Sequence, residues 1–412
     1  MKILFVSAYF PPEVNAPAHR VHELSRRWVA AGHSVRVLTG FPNHPSGIVP
    51  PPYRRAMRRG WMKEETTGVT VIRTWLYPAP NRKAWERMAN YGSFGISAAL
   101  AAPWQPRPDV VVATSPHLLA GLAGWWASRC FRVPFVLEIR DLWPESLLAS
   151  GVGKPGSPVV ESLRRLARFL YRQADRIVAV TEPIHRGVQS EGRLPEGRCV
   201  VIEHGVDGEL FHPLPPSRWP AELSDLEGKP VISYVGTLGA AHGLNALLET
   251  AQIVAREQPN ARFLLIGEGT DKQRLREEAA RRSLSNVRFL PLQPWDRMPE
   301  LINHSTLCVA LLKREPLFQT VLPTKLLEYL ACGKAVALAA EGHARRVLEE
   351  SGGGIVVAPE NGRELAAAIS ALLGDPARRQ RCEESGRRYV LDRFDLGAKA
   401  VDYLKVFTEI LA

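Results

Sequence analysis

The chain has 412 residues, 45% of them apolar, which is more than one core can take up and implies two domains. Its 53 basic against 42 acidic residues leave a net charge of +11, favouring anionic partners such as nucleotides, phosphates or anionic lipid. Five scattered cysteines without a CxxC pair exclude a disulfide framework, and with no signal peptide and no apolar run of the roughly 18–20 residues that span a bilayer, a cytoplasmic protein is expected.

From Lys2 onward, near-continuous apolar runs read as parallel strands buried on both faces: "KILFVSAY", "SVRVLTG", "VTVIRTW", "DVVVATS", "FVLEIRD", "DRIVAVT" and "CVVIEHG". Helical stretches such as "APAHRVHELSRRWVAAG" and "SLRRLARFLYRQA" separate several of them, a βαβ rhythm that predicts a doubly wound sheet. Between the second and third runs, "YRRAMRRGWMK" sets Arg54, Arg55, Arg58 and Arg59 around Met57 and Trp61. A basic segment with interleaved apolar residues suits an anionic membrane surface. Nucleic acid suits it less, since no helix-turn-helix, zinc or RNA-binding signature accompanies it.

The rhythm breaks at "DGELFHPLPPSRWPAELSDLEGKP", Asp207 to Pro230, where dense proline and charge predict a linker. Six further runs follow: "PVISYVGTL", "RFLLIGEG", "NVRFLPL", "TLCVALL", "KAVALAA" and "GIVVAP". The expected fold class is therefore α/β, two Rossmann-like doubly wound parallel-sheet domains facing a cleft. The boundaries are 1–206 for the first domain, 207–230 for the linker and 231–394 for the second domain. Residues 395–412 form a C-terminal amphipathic helix positioned to cross back to the first domain.

Ligands of open α/β sheets bind at the carboxyl ends of the strands. There, "YVGTLGAAHGLNALLE" brings Gly236, Gly239 and Gly243 to a strand-to-helix turn, where amides can approach a phosphate. "KREPLFQTVLPTK" adds Lys313, Arg314 and Lys325 at the same edge, a set suited to a diphosphate. Lys325 and Glu328 stand three apart on one short helix, "TKLLEYLACG", closed by Gly333. A carboxylate there can accept two hydroxyl donors at once.

"PTKLLEYLACGKAV" resembles the donor-site helix of family 4 glycosyltransferases, retaining enzymes of GT-B fold. The resemblance implies that Glu328 grips the ribose hydroxyls of a nucleotide diphosphate sugar and that Thr324 and Lys325 belong to the donor site. The common family pattern has a second glutamate eight residues earlier, where this chain has Thr320. Thr237 and His242 stand where the family often has an arginine and a lysine on the diphosphate. Those departures match a branch resembling the fucosamine transferases of O-antigen and capsule synthesis. They leave the diphosphate to Lys325, Lys313 and a protonated His242, which a phosphate neighbour would favour.

The resemblance extends to "SAYFPPEVNAPAHRVHELSRRWVAAGHSVRVLT", similar to the family's acceptor-side opening, and so puts Glu13, His19 and Arg20 on the acceptor side. "EIRDLWPES" holds Arg140 and Asp141 at a strand end, where an acid can orient or deprotonate an acceptor hydroxyl. Asp141 as a helix cap paired with Arg140 is an equal alternative. His117, in "ATSPHLLAG", lies near a family histidine that touches the donor sugar, with a structural role equally open.

The implied activity is metal-independent, retaining transfer of a sugar from a nucleotide diphosphate to a hydroxyl on a lipid-linked or cell-surface polysaccharide precursor. No Asp-x-Asp pair is present to hold a divalent metal, and no cofactor is required beyond the nucleotide sugar, with uridine the expected base. Lys325, Asp141 and His19 are the catalytic candidates. Glu328, Thr324, Lys325, Gly236, Gly239, His242, Lys313 and Thr320 would bind the donor, and Glu13, Arg20 and Arg140 the acceptor. An anionic surface at the inner face of the cell membrane is the expected further partner, and nucleic acid is not. Two other readings stay open here: a nucleotide-sugar epimerase of the same fold, and a binding protein that has lost its chemistry.

Overall fold

A computed structural model describes residues 1–80, 84–149, 153–215 and 218–412. The chain forms two compact units, Met1–Glu203 with Gly397–Ala412, and His204–Leu396. Unit 1 carries β1 (Lys2–Val6), β2 (Ser34–Gly40), β3 (Trp61–Thr66), β4 (Val69–Thr74), β5 (Val110–Thr114), β6 (Phe135–Ile139), β7 (Arg176–Ala179) and β8 (Cys199–Val201). They form one sheet in the order β3-β4-β2-β1-β5-β6-β7-β8, parallel except where β3 runs against β4. All seven apolar runs expected in this unit are strands.

The sequence reading passed over β3, and its burial pattern gives the reason. "WMKEET" alternates exposed and half-buried residues at the sheet edge, so it lacks the continuous apolar run of a strand covered on both faces.

Unit 2 carries β9 (Val231–Val235), β10 (Arg262–Ile266), β11 (Val287–Leu290), β12 (Leu307–Leu311), β13 (Val336–Ala339) and β14 (Gly354–Val357). Their order is β11-β10-β9-β12-β13-β14, and every pairing is parallel. Strand order reverses beside β9, between β10 and β12, and beside β1, between β2 and β5. These are the topological switch points, where the diverging loops open a crevice.

The stretch expected as a linker is instead part of unit 2. Leu223 and Leu226 are buried, Arg288 pairs with Asp225, and Arg297 meets Glu222 at 2.7 Å. Its described residues make a packed segment rather than a free tether. The chain enters unit 2 beside the point where it leaves it, because Val206 N donates to Phe394 O and Leu396 N donates to Val206 O.

The C-terminal helix, Leu396–Leu411, joins unit 1 from Gly397 on. Trp28 of the helix Ala16–Ala30 donates its indole N–H to Ala400 O at 3.0 Å and packs against Tyr403 and Phe407.

Candidate functional site

In unit 2 the loops after β9 and β12 are tied to each other. Lys313 N donates to Ala241 O at 3.0 Å, and His242 Nδ1 donates to Leu311 O at 3.1 Å. Between them the helix Thr324–Ala331 presents its first turn, with Pro323 setting its entry. Lys325 reaches from that turn across the end of β9. Its Nζ donates to Tyr234 Oη at 2.8 Å and lies 4.0 Å from the centre of the Tyr234 ring.

Gly236 follows directly, in the left-handed region at φ +134°, and a Cβ there would lie 2.6 Å from Lys325 Nζ. Only glycine lets the ammonium approach this turn. Behind it, a Cβ on Gly267 would fall 1.9 Å from Gly236 O, so the β9 and β10 loops meet backbone to backbone. Gly239 is under no such constraint: its nearest neighbour would be a methyl of Thr237 at 3.4 Å.

Glu328 lies one turn below Thr324 and is buried. Burial pushes its carboxyl up to about 7, against the opposing charge of Lys325 and the nearby Thr324 hydroxyl. Burial likewise pushes the Lys325 ammonium down to about 7, with Glu328 opposing. Both groups are thus held where a small change of surroundings charges or discharges them.

The structure corrects the expectation for His242. Burial and the nearby Lys325 push its imidazole down to about 3, so it is neutral at pH 7. Its Nδ1 proton is committed to Leu311 O, which leaves Nε2 as an acceptor rather than a cation. Lys313 is half-buried at the loop junction. Thr320 ends the turn Pro316–Thr320 and donates its hydroxyl to Leu317 O at 2.7 Å.

Sequence reasoning missed Tyr234 and Tyr329. The Tyr329 hydroxyl bonds both the N–H and the carbonyl of Val235, at 2.7 and 3.2 Å, fixing the end of β9. A tyrosine inside the aliphatic run "PVISYVG" was the available signal, since a buried phenol needs a polar partner.

At the carboxyl edge of the unit 1 sheet, Glu13 is buried and accepts from the backbone N–H groups of Asn43 and His44, both at 2.9 Å. Burial raises its carboxyl to about 7 despite those bonds. Arg140 donates from Nε to Ser115 O at 2.7 Å, and its backbone N–H donates to Ser115 Oγ at 2.9 Å.

Asp141 is half-buried and accepts no hydrogen bond among the described residues. Of the two readings left open for it, the helix cap therefore finds no support. Burial raises its carboxyl to about 6, with Arg140 opposing. Burial and His22 lower His19 to about 4.

Arg20 is a correction. Rather than facing a ligand, its buried guanidinium donates to Glu138 Oε1 at 2.8 Å and to Tyr403 Oη at 3.1 Å. Tyr403 in turn donates to Glu138 at 2.5 Å, and Thr114 donates to the other carboxylate oxygen at 2.5 Å. Burial opposes ionisation of Glu138, but these partners hold its carboxyl down at about 2. The network ties β5, β6, the first helix and the C-terminal helix together.

His117 sits beside the loops from β1 and β5, packed 3.6 Å from the Tyr91 ring and 5.1 Å from the Tyr9 ring. It is buried, and among the described residues neither ring nitrogen has a hydrogen-bond partner. Burial first, then Arg140, lowers it to about 3.

Residues 15–205 match the glycosyl transferase 4-like domain, and residues 217–389 match the glycosyl transferases group 1. Together the two matches reach both units of the chain. It is 27% identical over 389 residues to the putative colanic acid biosynthesis glycosyl transferase WcaI of Escherichia coli, covering 90% of this chain and 92% of WcaI. It is 28% identical to a D-inositol 3-phosphate glycosyltransferase of Thermobispora bispora, over 75% of this chain and 73% of that one.

Among solved structures, HepE of Anabaena in complex with UDP and glucose superposes with a TM-score of 0.73 at 17% identity, over 99% of this chain and 100% of HepE. Sucrose-phosphate synthase of Thermosynechococcus elongatus gives 0.77 at 19% identity, over 99% and 98%. The fold is thus the GT-B class, two parallel-sheet α/β domains, and the chain is a glycosyltransferase.

Proposed function

We propose that this transferase takes its sugar from a nucleotide diphosphate donor, a uridine diphosphate sugar, and transfers it with retention to a hydroxyl of a lipid-linked polysaccharide precursor. The observation that carries the reading is the placement of Lys325. Its ammonium stands over the Gly236 turn at the switch point of unit 2, with Glu328 buried on the same helix. A diphosphate lying on that turn would meet loop amides and a cation, while Glu328 accepts the ribose hydroxyls.

As the glycosidic bond breaks, negative charge grows on the departing diphosphate. Fixed donors aimed there lower the barrier by about 2.7–4 kcal/mol each. Lys325 is the strongest of them, and its charge is renewed when phosphate replaces the surroundings that suppress it. The local charge is supplied by side chains and amides, so no metal is needed. In unit 1, Asp141 keeps an uncommitted carboxylate suited to orienting an acceptor hydroxyl, and Glu13, His19, Arg140 and His117 line the same sheet edge. The "PTKLLEYLACGK" form, with Thr320 in place of a second acid, supports a sugar of the fucosamine kind.

A thermal-shift panel of nucleotide diphosphates and their sugars tests the donor class, because a ligand of the folded form alone raises its melting temperature. UDP and UDP-sugars are expected to raise it and uridine is not. No response to any nucleoside diphosphate would overturn the reading.

A further inference from the structure

At the carboxyl edge of the unit 1 sheet, a cluster of rings keeps polar atoms that the fold leaves unspent. Around the switch point beside β1, Tyr9 follows β1, His44 follows β2 and His117 follows β5. The Tyr9 ring lies 5.3 Å from the His44 ring and 5.1 Å from the His117 ring, steeply inclined to both. Tyr91, on the helix Ala84–Ala101, covers His117 at 3.6 Å.

Packing alone does not account for the two imidazoles. His44 Nδ1 and both nitrogens of His117 are buried without a hydrogen-bond partner among the described residues. Buried polar atoms nearly always have one, because leaving them unmet in a dry site is unfavourable. Burial, then Arg140, His44 and Arg87, holds His117 down at about 3, and burial with Arg87 holds His44 at about 4. Both rings are therefore neutral at pH 7, and each still carries one N–H.

Two guanidinium groups complete the cluster. The Arg140 side chain is 9% exposed and donates from Nε to Ser115 O, while its two terminal nitrogens make no hydrogen bond among the described residues. Arg87 stands one turn before Tyr91. Its charge reaches all four rings, lowering both imidazoles and opposing the upward push of burial on both phenols. Of the acids nearby, Glu138 accepts from Arg20, Tyr403 and Thr114, and Glu13 accepts from two backbone N–H groups. Asp141 is the carboxylate left uncommitted.

We propose that this cluster binds an anionic group of the acceptor, a phosphate or a carboxylate, with Arg140 and Arg87 on its oxygens and the imidazole N–H groups beside them. A guanidinium presents paired N–H groups to such oxygens, in charge-assisted bonds about twice as strong as neutral ones. A neutral sugar hydroxyl is a poorer occupant, since it accepts from one donor or two where the cluster offers several. Asp141, next to Arg140 in the chain, is left for the hydroxyl that reacts. The inference rests on the reading of unit 1 as the acceptor side and is tested without any acceptor.

Calorimetric titration of the whole protein with glucuronate, dimethyl phosphate and glucose, each with and without saturating UDP, decides it. At least one of the two anions is expected to bind ~tenfold or more tightly than glucose, with UDP present, and Arg140→Gln and Arg87→Gln should each remove that advantage. Preference for glucuronate identifies a sugar acid, and preference for dimethyl phosphate the phosphate of a lipid link. Melting temperature reports folding, and Arg87→Gln, at a half-buried position, carries the test if Arg140→Gln does not fold. Neither anion binding, or glucose binding as tightly as both, overturns the proposal. So does an anion preference that the arginine substitutions leave intact. A preference that UDP or Lys325→Ala removes also overturns it, because the anion would then sit in unit 2. A missing response to UDP itself counts against the donor reading, and the titrations without UDP still decide the anion site.

Discussion

The ammonium of Lys325 is hydrogen-bonded to the hydroxyl of Tyr234 at 2.8 Å and makes no ion pair with Glu328, three residues along the same helix. The two charges that look like a surface pair in the sequence are held apart for different tasks. Tyr234 keeps the ammonium aimed over the Gly236 turn, while the carboxylate of Glu328 is buried one turn further along the helix.

Lys325→Ala is expected to lower kcat by about 10²–10³, the loss of one preorganised donor to the leaving group. Glu328→Ala should mainly raise the donor KM, by about 10- to 100-fold, for lost hydrogen bonds to a charged acceptor. Steady-state kinetics on both variants check this division, and matching changes in both constants for both variants would contradict it.

Gly236→Ala should impair activity strongly, because the new Cβ would lie 2.6 Å from the ammonium. A non-glycine residue at φ +134° also adds strain of about 1–3 kcal/mol. Gly239→Ala meets only a methyl at 3.4 Å and should stay within about 0.5 kcal/mol of wild type. Denaturation midpoints and turnover of the two variants provide the comparison.

Donor affinity should peak near neutral pH. Diphosphate binding favours the charged form of Lys325, whose pKa of about 7 means that protons must be taken up above that pH, so affinity falls as pH rises. Ribose binding favours ionised Glu328, also near 7, so affinity falls again as pH drops below it. Titration of UDP across pH, repeated with Lys325→Arg, should show the alkaline limb flattened in the variant. An affinity that climbs steadily with pH would contradict the assignment.

Arg20→Ala should destabilise the protein by about 3 kcal/mol, since it removes the closer of the two guanidinium groups beside buried Glu138 and leaves Arg140 at 3.8 Å as the remaining ion-pair partner. UDP binding, which the proposed donor site puts in the other unit, should be unchanged. Urea denaturation followed by UDP titration separates this from an acceptor role, which would alter the acceptor KM and leave stability intact.

The strands were legible because parallel strands covered on both faces are written as apolar runs, and thirteen such runs became thirteen strands. β3 was not, since an edge strand carries polar residues. That Lys325 and Glu328 share one helix was legible because both lie in one short local motif. Tyr234 was not linked to it, because it stands 91 residues away and meets Lys325 only through the sheet. Arg20 was misassigned for the same reason: Glu138 and Tyr403, its partners 118 and 383 residues on, come from a different strand and the last helix. His242 was taken for a cation because its neighbours in sequence do not show that its proton goes to Leu311.

A crystal soaked with UDP tests the central claim most directly. The account predicts the diphosphate on the turn at Gly236, with Lys325 Nζ bonded to it and both ribose hydroxyls donated to Glu328. Diphosphate bound away from that turn, or Glu328 swung out to solvent in the complex, would contradict it.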